Sequence, residues 1–312
     1  MKYRAMIDSV GSYVPARVVS NFDLEQKIDT TDEWIKTRTG MSERRFADKS
    51  EAASDLAYKA AENAIMNSNS TRLKDIEMII VGTVSPDHLF PSTACILQQK
   101  LGIKDIPAFD ISAGCTGSVY ALDVARHYIE NGVVSTMLVV GVEVLSRLIN
   151  WEDRGTCVLF GDGAGAFIVK RAQSNNISEI IDSKITADGS DWDLLKQTAG
   201  GSKMPASKES VEKNLHTVYM EGNKIFPRAV KAMAGITLDV LKRSHYSLKD
   251  IDWVIPHQAN MRIIEAVAER LKTPMEKVIV TIHKYANTSS STVPIAMAEA
   301  VREGKIKRGD IV

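Results

Sequence analysis

The 312-residue sequence is 44% hydrophobic and 25% charged, the composition of a globular protein with one large core or two domains. Its 39 basic residues balance 39 acidic ones, which argues against bulk attraction to nucleic acid or an anionic membrane and leaves only local basic patches. Cys95, Cys115 and Cys157 cannot all pair and form no CxxC, the N-terminus lacks a signal-peptide run, and no stretch approaches the roughly 20 apolar residues of a membrane span; the expectation is a cytoplasmic protein without disulfides or a zinc site.

In chain order, Tyr3–Val10 reads as a strand, and Leu24–Ile28 as a helix capped by Asn21 or Asp23. Thr31–Thr37 reads as a second helix capped by Thr31, with Trp34 an odd aromatic among polar neighbours. Gly40 ends that helix, and Glu43-Arg44-Arg45 is expected to be exposed. Apolar residues at helical spacing place a helix over Ser54–Asn67. A near-continuous apolar run from Asp75 to Thr83 predicts a strand covered on both faces. After a loop at His88–Pro91, Ser92–Leu101 reads as a helix, Ala108–Ile111 as a strand and Thr136–Val144 as another. Thr156–Phe160 and Ala164–Lys170 are expected as strands joined by a tight turn at Gly161–Gly165. A phosphate-loop reading fails there because no Lys-Ser/Thr pair and no helix follow. The polar stretch Ala172–Asn214 is the best domain boundary, giving halves at 1–172 and 173–312. Asn223–Arg243 is a long amphipathic helix.

The chain repeats itself. Leu73-KDIEMIIV and Leu248-KDIDWVIP stand 175 residues apart, and each is followed by helix, strand, small-residue turn, helix and strand. Such duplication predicts two similar α/β halves with pseudo-twofold symmetry. Equivalent loops at the carboxyl ends of the strands then converge, which makes Cys115, His257 and Asn287 neighbours. The second half stops at Val312, before any counterpart of the strand ending at Lys170.

Cys115 follows the turn Ser112–Gly114 at the mouth of a helix beginning near Thr116. Free N–H groups and the helix dipole there favour the thiolate, and Gly114 and Gly117 leave the sulfur uncrowded. The plain alternative is a small buried apolar residue. His257, behind a proline at a strand end, is placed to project an imidazole into a pocket, whereas a lone histidine is commonly structural. Asn287 alone reads as a turn residue. A thiolate beside a histidine points to nucleophilic chemistry.

The stretches Asp29-TTDEWIKTRTG, Phe90-PSTAC, Phe109-DISAGCTG, Asp153-RGTCVLFGDGAGA, Gly222-Asn223, Pro256-HQANMRII and Tyr285-ANTSSSTVP resemble the β-ketoacyl-acyl carrier protein synthase III family, initiating condensing enzymes of the thiolase fold. The resemblance implies a layered αβαβα sandwich and a Cys-His-Asn site. Cys115 would accept an acyl group from acyl-CoA, acetyl-CoA first among candidates. Malonyl-acyl carrier protein would then lose CO₂ and attack it, while His257 and Asn287 donate to the thioester oxygen. It further implies that Trp34 and Arg154 sandwich the CoA adenine, with Arg38 nearby, and that Gly222, Asn223, Ala259 and Asn260 contact pantetheine. Phe90 would reach the acyl pocket of a second subunit in a homodimer. Arg262, with Arg270, Arg228 and Lys231 as lesser members, would dock the acidic carrier protein, although Pro227 replaces a commoner basic residue. No metal and no cofactor beyond the CoA thioester substrate are implied. Ala286 stands where glycine is commoner. The family's last strands carry a Gly-rich loop with one oxyanion-hole N–H, so this sequence is expected to be part of a longer protein.

Two other classes fit parts of the pattern. A cysteine hydrolase would use Cys115 and His257 and release free acid, but leaves the duplication and Asn287 unexplained. A non-catalytic scaffold of the same fold would form no acyl adduct.

Overall fold

The computed structural model describes residues 3–173 and 178–312. Positions 1–2 of the expected N-terminal segment and 174–177 of the polar stretch lie outside the described residues. The chain opens with β1 (Ala5–Tyr13), β2 (Arg17–Ser20), α1 (Asn21–Glu25), α2 (Asp32–Thr39) and β3 (Glu43–Phe46). It continues through α3 (Ala53–Met66), β4 (Met78–Gly82), α4 (Thr93–Leu101), β5 (Ala108–Ile111), α5 (Gly117–Glu130) and β6 (Thr136–Val144). Next come α6 (Arg154–Cys157), β7 (Asp162–Arg171), β8 (Leu195–Gln197), α7 (Lys208–Glu212) and β9 (Val218–Met220). The chain closes with α8 (Gly222–Ser244), α9 (Met261–Leu271), α10 (Ile282–Tyr285) and α11 (Thr292–Arg302).

Five strands form one sheet in the order β1-β7-β6-β4-β5. β5, β4 and β6 run parallel, and β7 and β1 add antiparallel. The apolar face of α3 and α4 packs on one side of this sheet, and α5 with part of α11 packs on the other. Both faces are thus covered, which is why β4 and β6 are apolar along their whole length. The other side of α11 packs against Trp253, Ile255 and Ile279, and α8 and α9 form a further layer. Helices and strands therefore alternate through the molecule, as the layered sandwich requires.

Several local expectations are corrected. The cap of α1 is Ser20, not Asn21 or Asp23: its Oγ accepts from the Asp23 N–H while the Asp23 carboxylate accepts from the Ser20 N–H. Glu43-Arg44-Arg45 is not an exposed run but strand β3, paired with β2. Arg44 is fully buried, because its guanidinium donates to Asn21 Oδ1 at 2.7 Å and to the Val158 carbonyl at 2.9 Å. Burial lowers its pKa to about 10. Thr156–Phe160 is not a strand. Asp153 accepts from the Gly155 N–H and from the Thr156 hydroxyl, which starts the short α6 instead. Gly161–Gly165 is not a turn, since β7 begins at Asp162 and runs straight through it.

That glycine run has a different reason. Gly82, Gly141 and Gly165 lie side by side on β4, β6 and β7. A Cβ on Gly82 would lie 2.4 Å from the backbone of Gly117, one on Gly141 2.5 Å from the Ser290 carbonyl, and one on Gly165 2.6 Å from Pro294. The row lets α5, α11 and the loop before α11 sit directly on the sheet.

The expected second-half strands at Ile251–Ile255 and Val278–Ile282 reduce to one parallel bridge, Val254 with Val278. Their pairing nevertheless follows the first half. The Glu77 N–H donates to the Thr136 carbonyl, and the Asp252 N–H, 175 positions on, donates to the Ile311 carbonyl. Short turns at Met275–Lys277 and Ile282–Tyr285 bound the extended backbone around Val278.

Candidate active site

Cys115 lies in a 3₁₀ turn, Gly114–Thr116, between the end of β5 and the start of α5. Gly114 has φ 57°, which a glycine adopts without cost. A Cβ there would meet nothing within 4 Å, so the turn stays open beside the sulfur. Gly117 has another role than expected: it is packed against Gly82 and Ser290 rather than leaving space for the sulfur. The surroundings of the sulfur work against the expected thiolate. Burial, the largest influence, pushes the Cys115 thiol above its ordinary value, and the Glu143 carboxylate adds to this. The hydrogen bond from Ser289 opposes both without overcoming them.

The loop from Asn287 to Thr292 gathers the other groups. The Asn287 backbone pairs with the 159–161 segment, its N–H donating to Leu159 and its carbonyl accepting from Gly161. Its Oδ1 accepts from the Ser289 N–H at 2.8 Å, which leaves the Nδ2 protons as the donors the side chain offers elsewhere. Ser289 Oγ donates to Glu143 Oε1 at 3.2 Å, and the neighbouring Ser290 packs against Gly117, just after the Cys115 turn. Thr292 Oγ1 stands 2.6 Å from His257 Nδ1 and 3.0 Å from the Ser289 carbonyl. The hydroxyl has one proton. Given to Nδ1, it leaves Nε2–H as a donor; given to Ser289, it leaves Nε2 bare. Burial lowers the His257 pKa to about 4, so the ring is neutral near pH 7. Cys115, His257 and Asn287 are thus tied to one six-residue loop. Ala286, just before it, is buried at φ 53° and ψ −152°, a backbone region that strongly favours glycine.

A second group lies on α2, α6 and the start of α9. The Arg154 guanidinium sits 4.6 Å from the centroid of the Trp34 ring and the Arg38 guanidinium 5.2 Å from it. Arg154 also donates to the Asp29 carbonyl at 3.0 Å. Asn260 caps α9, its Oδ1 accepting from the Arg262 N–H, and its Nδ2 donates to the Arg38 carbonyl at 3.0 Å. Ala259 precedes it, its N–H donating to the His257 carbonyl. This local chain joins the Trp34 group to His257. Gly222 and Asn223 start α8, which packs along α9.

The remaining predicted residues stand apart. Phe90 is 86% exposed beside Leu89, in the loop before α4. Arg262 and Arg270 are exposed on α9, with Arg262 5.9 Å from the Phe226 ring. Arg228, on α8, is paired with Asp191, which offsets its charge, while Lys231 is exposed on the same helix. Sequence reasoning passed over Glu143, Ser289 and Thr292. Glu143 had a signal: it is the one charged residue in the apolar run Thr136–Val144, where full burial of a carboxylate is exceptional. The two hydroxyls had none, lying among five consecutive Ser and Thr residues.

Comparison with known proteins shows the family to which this chain belongs. The family model described as 3-oxoacyl-[acyl-carrier-protein (ACP)] synthase III matches residues 109–189, and that of its C-terminal part matches residues 241–312. The chain is 52% identical over 311 residues to the beta-ketoacyl-[acyl-carrier-protein] synthase III of Caldanaerobacter subterraneus, covering 100% of this chain and 93% of that one. It is 48% identical to the protein of that name from Clostridioides difficile, covering 100% and 94%. The crystal structure of 3-oxoacyl-[acyl-carrier-protein] synthase III from Aquifex aeolicus superposes with a TM-score of 0.90 at 44% identity, covering 98% of this chain and 93% of that one. Both its sequence along its whole length and its layered fold place this chain in the β-ketoacyl-acyl carrier protein synthase III family.

Proposed function

We propose that the chain condenses an acyl-CoA primer, acetyl-CoA first among candidates, with malonyl-acyl carrier protein, releasing CO₂ and CoA and giving a 3-ketoacyl-acyl carrier protein that begins fatty acid synthesis. The observation that carries this reading is the single loop that ties Asn287, His257 and the Cys115 turn together, in a chain of this family. Cys115 attacks the thioester carbonyl and holds the acyl group. Asn287 Nδ2–H and His257 Nε2–H donate to the thioester oxygen as charge develops on it. The Nε2–H form is the one in which Thr292 donates to Nδ1. Such donors are worth about 3 kcal/mol each when preorganised away from water. A neutral histidine suits this role, because it gives a hydrogen bond without a charge that would trap the enolate as an ion pair.

The nucleotide of CoA is assigned to Trp34, Arg38 and Arg154, where a flat ring and two guanidinium planes offer stacking. The slot between Trp34 and Arg154 is one stacking contact wide, so Arg154 moves aside for an adenine. Gly222, Asn223, Ala259 and Asn260 are assigned to pantetheine, the last two lying between the Trp34 group and His257. Arg262 and Arg270 supply positive charge for the acidic carrier protein. Arg228 contributes less, being paired with Asp191. A homodimer is supported by the edge position of β5 and by Leu89 and Phe90, which are 83% and 86% exposed beside it. We assign halves 1–172 and 173–312. Among the described residues no helix is long and apolar enough to cross a membrane, and we place the protein in the cytoplasm.

The test is product analysis. Acetyl-CoA should add one acetyl mass to the peptide holding Cys115, and malonyl-acyl carrier protein should then yield 3-ketoacyl-acyl carrier protein. Free acid as the sole product would assign a hydrolase instead, and no adduct on Cys115 would reject both.

A further inference from the structure

The loop that presents Asn287 leaves α10 and enters α11, and one buried carboxylate closes its neck. Glu299, on α11, is 4% exposed. Its Oε2 accepts from the Tyr285 hydroxyl at 2.5 Å and its Oε1 from the Lys284 ammonium at 2.6 Å, with the Arg302 guanidinium 3.6 Å from Oε2. Lys284 and Tyr285 are the last two residues of α10, so both bonds cross from one end of the loop to the other. Charge-assisted bonds are stronger than neutral ones, and burial keeps water from competing for them. Glu299 stands seven residues after Thr292, close to two helical turns. The residue that holds His257 and the residue that holds α10 therefore share one face of α11. Glu303, the other acid near Lys284, is exposed and pairs with Lys305 at 2.8 Å, so it does not replace Glu299.

The segment so closed needs support. Ala286, directly after Tyr285, has φ 53° and ψ −152°, a conformation that disfavours any residue with a Cβ and persists only where its surroundings enforce it. After Ala286 the backbone is pinned by the 159–161 segment: the Asn287 N–H donates to Leu159 and its carbonyl accepts from Gly161. Before Ala286 it is pinned by α10, where the Ala286 N–H donates to the Ile282 carbonyl at 2.9 Å and a Cβ on Gly161 would lie 2.6 Å from the Tyr285 carbonyl. The side-chain bonds of Glu299 fix the end of α10 in turn. We propose that Glu299, through Tyr285 and Lys284, is a positioning residue for the condensation step: it holds Ala286 at positive φ and so aims the Asn287 side chain. Without it Ala286 relaxes toward an ordinary conformation and the Asn287 Nδ2 donor leaves its place, while Cys115, carried between β5 and α5, keeps its own.

This role for Glu299 rests on the proposed donor role of Asn287, and reading the two reaction steps separately tells the two apart. Glu299→Gln and Tyr285→Phe should each lower kcat for condensation about tenfold, the effect of losing one charge-assisted hydrogen bond. KM for malonyl-acyl carrier protein and the single-turnover rate of Cys115 acylation by acetyl-CoA should stay within about twofold of wild type. Ala286→Gly, added to either variant, should recover most of the loss, because glycine adopts this conformation unaided. In an Asn287→Ala background neither variant should slow condensation further. A Glu299 that only stabilised the fold would slow both steps together, with no recovery by glycine. Equal loss in both steps, no loss in condensation, a loss that Ala286→Gly does not recover, or a further loss beside Asn287→Ala overturns the role of Glu299 and leaves the proposed function in place. Condensation left intact by Asn287→Ala alone overturns both. Tyr285→Phe removes only a half-buried hydroxyl and carries the test if Glu299→Gln fails to fold.

Discussion

The turns Gly114–Thr116 and Ser289–Ser291 stand 175 positions apart and have the same shape. Gly114 has φ 57° and Ser289 φ 49°, and each turn runs directly into a helix, α5 at Gly117 and α11 at Thr292. Their surroundings are opposite. Gly114 and Thr116 are exposed, whereas Ser289, Ser290 and Ser291 are at most 3% exposed. One copy of the duplicated turn is left open beside Cys115. The other is buried and packed with hydroxyls, and bonds the Asn287 side chain on one side and Thr292, the partner of His257, on the other. The difference shows how duplication yields an asymmetric site: the backbone is kept, and burial together with side-chain type divides the labour.

The comparison is broken most severely by removing what the buried turn presents. His257→Ala and Asn287→Ala should each lower condensation by about 10²- to 10³-fold while leaving acylation of Cys115 by acetyl-CoA in place. A burst assay with acetyl-CoA, followed by malonyl-acyl carrier protein, separates the two steps. Loss of acylation in both variants would mean that the buried turn serves the nucleophile and not the condensation.

Next in size is the docking of the buried turn on the sheet. Gly141→Ala places a Cβ 2.5 Å from the Ser290 carbonyl, a backbone atom that cannot step aside cheaply. We expect a loss of about 2–3 kcal/mol in urea unfolding and a proportionate fall in activity. Gly114→Ala, at the open turn, meets no atom within 4 Å, and its cost should be confined to the backbone, about 1 kcal/mol.

The protonation of His257 gives a third measure. Its imidazole titrates near 6.5 when unfolded and at about 4 when folded. Between those values the unfolded chain holds the extra proton, so this contribution to stability is present above pH 6.5 and is lost as pH falls toward 4. From pH 8 to pH 5 it should remove about 2 kcal/mol, which His257→Ala should spare. Unfolding curves at the two pH values, read as the difference between wild type and variant, check this. Smallest is Thr292→Val, which removes the partner of His257 Nδ1 at nearly constant volume. It should reduce condensation about 5- to 10-fold, as loss of one hydrogen bond worth about 1 kcal/mol, and Thr292→Ser should restore it.

Much of this protein is legible in its sequence. Composition, the 175-residue repeat and the family stretches identify the fold and the family and single out Cys115, His257 and Asn287, because each rests on local pattern: apolar runs for β4 and β6, a small-residue turn before α5, a proline ahead of His257. Errors arose where a distant contact overruled local pattern. Arg44 reads as a surface charge until Asn21 and Val158 arrive to receive its protons. The glycines of 161–165 read as a turn until Pro294 and Ile295 are seen to need their missing side chains. Cys115 reads as a thiolate from its place at a helix start, while desolvation by residues far along the chain pushes its thiol up. Charge state and hydrogen-bond direction depend on what surrounds a group in three dimensions, and no periodicity encodes that. The hydrogen-bond partners of Ser289, Thr292 and Glu143 were therefore decided by tertiary structure alone, whereas the turn that carries Ser289 was written in the repeat.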